Sequence, residues 1–333
     1  MKTKFELQVP NYENPFKTFE SLDGVEKYVS ESLLEDGFCV IDFPCKNFDN
    51  LVETLTNKLT KYFKEQSTSG KIVPGQRLQD AIDIPEVLEF ADNQRIIEIL
   101  SNVYGKKAFP FQTLNFPSST EQLAHSDHVH FDSIPHRFMA GVWVALEDIT
   151  EDNGPLFYYP GSHKWRPLYN TEINHHQKLD KSSSHYDRYT VSWNRYAEHY
   201  GVKKKYFYAK KGQCLIWSSN LVHGGSLQKN KSLTRWSQVT HYYFDNCAYY
   251  TPVLSNPLTG NYHWRTICNL VTKEHKPNIV NGYEVEGKDA SLNIDPQFNP
   301  DLYLKINPDV LEAKMNPYEH YLRYGLIEGR KIK

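Results

Sequence analysis

The apolar positions of this chain change period part-way along it. Between Ser21 and Glu35, Val25, Tyr28, Val29, Leu33 and Leu34 recur at helical spacing, and Gly37 stands where a cap would follow the helix. Phe38–Phe43 is a short apolar run stopped by Pro44, which predicts a buried strand. Leu51, Val52, Leu55, Leu59, Tyr62 and Phe63 predict a second helix. A third is expected over Val87–Tyr104, with Ile96, Ile97, Ile99, Leu100 and Val103 on its apolar face.

From about Phe109 the pattern becomes a series of short β-type runs: Phe109–Phe116, Phe138–Leu146, Leu156–Tyr159, Tyr206–Ala209, Cys214–Trp217 and Trp236–Phe244. Asp152-Asn153-Gly154-Pro155, Pro160-Gly161-Ser162 and Lys211-Gly212 supply turn chemistry between them. Phe138–Leu146 is apolar on both faces, as a strand inside a sandwich should be. Helices first and short strands afterwards predict an α+β chain around a β-sandwich or jelly-roll barrel. The polar, Tyr- and His-rich segment 164–205, with Ser182-Ser183-Ser184 at its centre, is expected to be a lid with partial helix near Trp193–Tyr200. Lys273–Ser291 has the composition of a linker. In Asn299–Arg330, Asn307-Pro308-Asp309-Val310 can start a helix and Gly325 can end one. The expected organisation is a domain over 1–272, a linker over 273–297 and a small helical module over 298–333.

Composition narrows the class of partner. The 333 residues suffice for one large domain with an appendage, and 39% hydrophobic with 23% charged residues is ordinary for a globular protein. A net charge of −2 gives no bulk attraction to nucleic acid or to an anionic membrane. No apolar run approaches the ~20 residues that span a bilayer, and Met1–Lys17 has no signal-like apolar run. The five cysteines are scattered, odd in number and without a Cys-x-x-Cys pair, so a reducing cytosol is the expected location.

The candidate chemistry lies in His125-Ser126-Asp127, followed about a hundred residues later by His223 and by Arg235-Trp236-Ser237. Residues i and i+2 of a strand share a face, so His125 and Asp127 can bind one ion, with His223 as the third ligand. Two histidines and one carboxylate are the donor set of non-heme iron oxygenases. Gly224 and Gly225 permit close backbone approach beside His223. Arg235 can grip a carboxylate with its guanidinium fork, and Ser237 on the same strand face can add a hydroxyl donor. A second His-x-Asp, His130-Phe131-Asp132, competes with the first, and His128 and His136 crowd the same region. The first copy is preferred for the residues that accompany it.

These residues together resemble the phytanoyl-CoA dioxygenase family of iron(II)/2-oxoglutarate oxygenases. The matching run is Gln122-x-x-His125-x-Asp127, Val142-Trp143-Val144-Ala145-Leu146-Glu147-Asp148-Ile149, Glu151-Asp152-Asn153-Gly154-Pro155-Leu156 and Pro160-Gly161-Ser162-His163-Lys164. It continues through Lys211-Gly212-Gln213, His223-Gly224 and Arg235-x-Ser237, so the likeness extends over roughly 34–243. The resemblance implies a double-stranded β-helix (jelly-roll, cupin-like) core with flanking N-terminal helices. It also implies that His125, Asp127 and His223 hold iron, while Arg235 and Ser237 hold 2-oxoglutarate. His163 then belongs to a structural turn and stays out of the metal set. Gln213 stands where the family often has an acidic residue. The lysine that some members use for the co-substrate has no counterpart, leaving Gln112, Thr113 or Asn115 to replace it. Asp127 stands where related halogenases have alanine or glycine, which favours oxygenation.

The resemblance thus implies hydroxylation of an aliphatic C–H bond of a small molecule, using iron(II), 2-oxoglutarate and O2, with release of succinate and CO2. Tyr169, His175, His176, Tyr186, Tyr189, Trp193 and Tyr196 of the lid can contact a polar substrate or simply cover the core. Lys203-Lys204-Lys205 and Lys210-Lys211 offer charge for an acyl-CoA or form a solvated face. The C-terminal residues from Phe298 resemble a helical module appended to bacterial glycan- and surface-related proteins, implying a protein or glycan-assembly partner. Two rival functions are a non-catalytic jelly-roll binding protein and a zinc hydrolase at the same triad; the second leaves Arg235 and Ser237 without a purpose.

Overall fold

The computed structural model of the chain describes residues 22–73, 75–169, 173, 185–256, 262–280, 282–284, 299–313, 315, 317–325 and 328–332. Its helical first part holds α1 (Gly24–Glu35), α2 (Phe48–Glu65), α3 (Pro85–Ala91) and α4 (Gln94–Tyr104), with strand β1 (Phe38–Asp42) between α1 and α2. The single helix expected over Val87–Tyr104 is two. The break comes at Asn93, whose side chain accepts the Ile96 N–H and so starts a new helix, while its amide donates to the Pro44 carbonyl. An apolar period crosses such a break unmarked, because both helices bury the same side.

Six strands form the major antiparallel sheet: β1, β2 (Leu78–Gln79), β3 (Ala108–Phe116), β5 (Met139–Ala145), β8 (Gln213–Ser218) and β10 (Ser237–Phe244), in the order β1-β8-β5-β10-β3-β2. A pair joins β4 (Asp132–Ile134) to β11 (Ala248–Tyr250). The minor sheet has β6 (Leu156–Tyr158) between β7 (Lys205–Phe207) and β9 (His223–Gly225), and an isolated bridge from His223 to His125 extends it by one residue. The expected runs all appear to within a residue or two; the three-residue strands β4, β9 and β11 were too short to carry a period.

Strand alternation sorts the core into layers. Val142, Val144, Cys214, Ile216 and Tyr242 face the helices, where Val29, Leu33, Leu55, Leu59, Ile96 and Leu100 meet them. Trp143, Leu215, Trp217 and Val239 face the other way and meet Leu156, Tyr158 and Phe207 of the minor sheet. This is the double-stranded β-helix arrangement, two antiparallel sheets closed on one interior. On the outer side of the minor sheet, α5 (His185–Tyr200) buries Tyr189, Trp193 and Ala197 against Phe157, Tyr159 and Val222.

Beyond the barrel lie short pairs: β12 (Ile267–Cys268) with β13 (His275–Lys276), and β14 (Ile279–Val280) with β15 (Tyr283–Glu284). The segment expected to be a linker from Lys273 therefore stays on the domain through 280, tied by Ile279 N–H to the Cys247 carbonyl and by Asn278 to Tyr249 and Arg265. Backbone pairing does not require apolar side chains, so composition gave no warning. The C-terminal unit comprises α6 (Pro300–Ile306), α7 (Pro308–Glu312) and α8 (Pro317–His320), with a last turn Tyr321–Gly325. It has a small core of its own, Tyr303, Val310 and Tyr321, in which the Tyr303 hydroxyl meets His320 Nδ1 at 2.9 Å.

Candidate metal centre and its cavity

The isolated bridge at the edge of the minor sheet builds the site. His125 N–H donates to the His223 carbonyl at 2.9 Å and His223 N–H returns the bond at 2.8 Å. This pairing sets the two imidazoles side by side, with ring centroids 4.3 Å apart. Ser126 is extended (φ −125°, ψ 131°), so Asp127 comes to the same side as His125 before the chain turns into a 3-10 segment, Asp127–Val129. Close approach depends on Gly224. A Cβ there would stand 2.5 Å from the Phe157 ring and 2.6 Å from the Gln122 carbonyl.

The resulting geometry suits a single ion. His125 Nε2 is 3.8 Å from Asp127 Oδ1, and His223 Nε2 is 3.9 Å from Oδ2. One ligand atom from each residue lies within 4.8 Å of the others, in the one such His/Cys/Asp/Glu cluster among the described residues. The Nδ1–H groups donate to backbone carbonyls two residues back, Leu123 at 2.9 Å and Leu221 at 3.1 Å. That fixes ring orientation and leaves both Nε2 lone pairs facing the gap. All three side chains are buried. Burial, reinforced by His223 and opposed by Asp127, pushes His125 down to about 3, so the imidazole is neutral at physiological pH. Burial works against the Asp127 anion, but His223, His241 and His125 outweigh it and hold the carboxyl well below the usual range. The chemistry of this donor set fits a ferrous ion, which His125, Asp127 and His223 would hold beside the cavity that they line.

Two further side chains hold Asp127. Trp217 Nε1–H donates to Oδ2 at 2.9 Å, and His241 Nε2 lies 3.5 Å from the same oxygen. His241 is itself oriented by Gln112, whose side-chain amide lies 2.9 Å from Nδ1. Sequence reasoning missed both. The signal for His241 was available, since the alternation that joins Arg235 to Ser237 continues through Val239 to His241.

The cluster opens into a cavity of about 260 Å³ whose wall includes Arg235. Arg235 is 2% exposed, donates from Nη1 to Ser237 Oγ at 3.1 Å, and lies between the Phe116 and Trp143 rings at 5.8 and 5.7 Å. Burial lowers it to about 10, with Glu147 opposing, so it stays a cation. Its Nε has no hydrogen-bond partner, an orphaned buried donor that an anionic ligand would satisfy. A carboxylate group of 2-oxoglutarate therefore fits this pocket of the wall. Ser237 is fully buried and does not itself line the cavity.

The other expected residues divide. Gln112 lines the cavity; Asn115 does not, which corrects its expected role. The cause is alternation: Gln112, Leu114 and Phe116 of β3 face the cavity, whereas Thr113 and Asn115 point to the opposite side, where the Asn115 amide donates to the Leu78 carbonyl at 3.4 Å. The second His-x-Asp splits the same way. Asp132 is fully buried among His136, His128 and the Tyr250 hydroxyl, at 2.9, 3.3 and 2.8 Å, while His130 lines the cavity. His163 packs under Gly37 with Nε2 3.0 Å from the Leu34 carbonyl, a structural position. No described residue of 164–205 lines the cavity. Tyr189, Trp193 and Tyr196 belong to the core beneath α5, and Tyr169 stands beside His128. His175, His176, Ser182–Ser184 and the side chain of Tyr186 lie outside the described residues. Lys204 stacks over Phe157 at 4.3 Å and lines a separate cavity.

Comparison with known proteins agrees with the fold. A curated relative, a probable phytanoyl-CoA dioxygenase of Caenorhabditis elegans, is 28% identical over 98 residues, 26% of this chain and 31% of that protein. The match thus spans under a third of the relative's length. Among solved structures, the epimerase SnoN in complex with Fe3+, alpha ketoglutarate and nogalamycin RO superposes with a TM-score of 0.52 at 17% identity, covering 68% of this chain and 86% of that one. The non-heme alpha ketoglutarate dependent carbocyclase SnoK from nogalamycin biosynthesis gives 0.50 at 15% identity, covering 82% and 96%. At such identities these two establish the fold alone. Among the described residues no helix is long and apolar enough to cross a membrane. The sequence model of the family Phytanoyl-CoA dioxygenase (PhyH) matches residues 35–235, more than half the chain and the whole stretch from β1 to Arg235, and on that match the protein belongs to the PhyH family.

Proposed function

We propose that the protein is an iron(II)/2-oxoglutarate-dependent dioxygenase that hydroxylates an aliphatic C–H bond of a small molecule. The observation that carries this is the convergence of His125, Asp127 and His223 on one gap, with the buried Arg235 cation in the wall of the same cavity. In this reading His125 and His223 bind the ion through Nε2 and Asp127 through a carboxylate oxygen. Arg235, steadied by Ser237, holds the distal carboxylate of 2-oxoglutarate. Iron(II) with 2-oxoglutarate and O2 supplies the oxidation, releasing succinate and CO2. The chain's own work is to orient. Leu123 and Leu221 fix the imidazole tautomers, Trp217 fixes Asp127, and Phe116, Trp143 and Val239 keep the co-substrate's surroundings apolar. The rival zinc hydrolase at the same triad leaves the buried Arg235 and Ser237 without a purpose.

The division of labour along the chain belongs to the same proposal: one oxygenase domain through β14 and a C-terminal helical unit. Tyr324 of that unit lines the cavity, which supports a part for it in substrate binding beside any protein or glycan partner. The five free cysteines are consistent with a reducing compartment such as the cytoplasm.

Anaerobic addition of iron(II) and 2-oxoglutarate should produce a weak visible charge-transfer band that needs both. His125→Ala, Asp127→Ala and His223→Ala should each lose the band and all succinate formation. Full turnover in any one of the three variants ends the assignment.

A further inference from the structure

Glu147 lies within the stretch that matches the family, yet the scheme above gives it no part. It is half-buried and follows β5 by two residues. Continuing the Ser237–Ala145 register by two positions puts it opposite Arg235. Arg235 itself lies two residues before β10 begins, so the ladder over Ser237–Phe244 does not by itself fix where the guanidinium points. On the β3 side the Arg235 N–H donates to the Pro117 carbonyl at 2.9 Å. On the β5 side the backbone pairing reaches Leu146, whose N–H donates to the Trp236 carbonyl at 3.1 Å.

Beyond Leu146 the Glu147 side chain takes over from the backbone. Its Oε1 accepts the Trp236 N–H, and its Oε2 accepts the Thr234 hydroxyl at 2.9 Å. One carboxylate therefore spans Arg235, bonded to the residue on each side of it. Asn153 ties the same place a second way. Its amide donates to the Asp148 carbonyl at 3.2 Å and to the Thr234 carbonyl at 3.1 Å, and its Oδ1 accepts the Thr150 N–H at 2.8 Å. Burial raises the Glu147 carboxyl, against Trp236, Thr234 and Arg235, and its charge in turn opposes the loss of the Arg235 cation. Ser237 braces the guanidinium at 3.1 Å, but not the backbone that carries it.

Building on the oxygenase reading, we propose that Glu147 is a positioning residue for the co-substrate: by clamping Thr234 and Trp236 it sets the place and aim of Arg235, and so the strength of its grip on the distal carboxylate of 2-oxoglutarate. A bidentate grip depends on both N–H bonds at once, so a misplacement of about 1 Å weakens the two together. A strand end that loses a charged acceptor for its amide and its hydroxyl is free to make such a shift.

The test uses the full chain loaded anaerobically with iron(II) and titrated with 2-oxoglutarate or with 2-oxopentanoate, which keeps the keto acid and lacks the distal carboxylate. The charge-transfer band reports both dissociation constants. The unaltered protein should bind 2-oxoglutarate about a hundredfold tighter. Glu147→Met matches the length and lacks both acceptors. It should weaken 2-oxoglutarate about tenfold while leaving 2-oxopentanoate and iron(II) within about twofold. Thr234→Val, which removes one of the two bonds, should move the preference the same way by about threefold. Glu147→Gln can take the Trp236 N–H on its oxygen and give its amide to the Thr234 oxygen, so it should restore most of the preference lost in Glu147→Met. An unchanged preference in Glu147→Met and Thr234→Val overturns the clamp, and should Glu147→Met not fold, Thr234→Val alone decides. Equal weakening of the two keto acids, or of iron(II), overturns it too, by making Glu147 a support of the fold at large. A folded protein that shows no band with iron(II) and 2-oxoglutarate overturns the oxygenase reading and this role with it.

Discussion

Trp217 holds Asp127 from behind, and a buried carboxylate depends on every donor it has. The indole N–H bond at 2.9 Å fixes Oδ2, which His223 also approaches, while Oδ1 turns toward His125. Trp217→Phe retains the ring and removes that donor. Cobalt(II) or iron(II) affinity measured by calorimetry should fall about 10- to 100-fold. An unchanged dissociation constant would mean that His241 alone orients Asp127. At this scale sequence reasoning singled out the residues that cluster but not their supports, because His-x-Asp spacing is local whereas Trp217 reaches Asp127 across ninety residues.

The element that makes room for Trp217 is β5, the central strand between β8 and β10. A Cβ at Gly141 would fall 2.2 Å from the Trp217 ring, which lies across the strand at that point. Gly141→Ala therefore forces the indole aside. Stability should drop by about 1–3 kcal/mol, seen as a lower urea midpoint, and metal affinity should fall with it. A variant with an unshifted midpoint would show that the ring relaxes freely. The strand was legible as an apolar run, but its glycine looked like any other interruption. Asn115 failed for a related reason: the run that contains it was recognised, whereas which of its two faces looked inward was not.

Across the whole molecule, buried neutral histidines make the fold sensitive to acid. His163 joins the end of α1 to the 160s turn and is pushed down to about 4, by burial above all, against 6.5 when exposed. The unfolded chain therefore binds a proton between those values and the folded chain does not. Stability is full above about 6.5 and is lost as pH falls toward 4. Between pH 7 and 4.5 the loss from this one group should be roughly 2–3 kcal/mol, read from urea unfolding of the metal-free protein. His163→Gln should be weaker at pH 7 yet show a flatter dependence; equal slopes would remove His163 as the cause. The same residue shows why a histidine beside a recognised motif needs its surroundings before it is given a role.

By itself the sequence determined what depends on neighbours a few positions apart. Period set the helices before Tyr104 and the strands after it, and His125-Ser126-Asp127, His223 and Arg235-x-Ser237 announced a ligand set. What only tertiary structure decided depends on contacts between distant segments. These are the His125–His223 backbone pairing, the Trp217 and His241 braces on Asp127, the inward face of β3 and the docking of α5 away from the cavity. The reason is physical. Local periodicity records which side of an element avoids water, but the partner that side meets is chosen by packing over the whole chain.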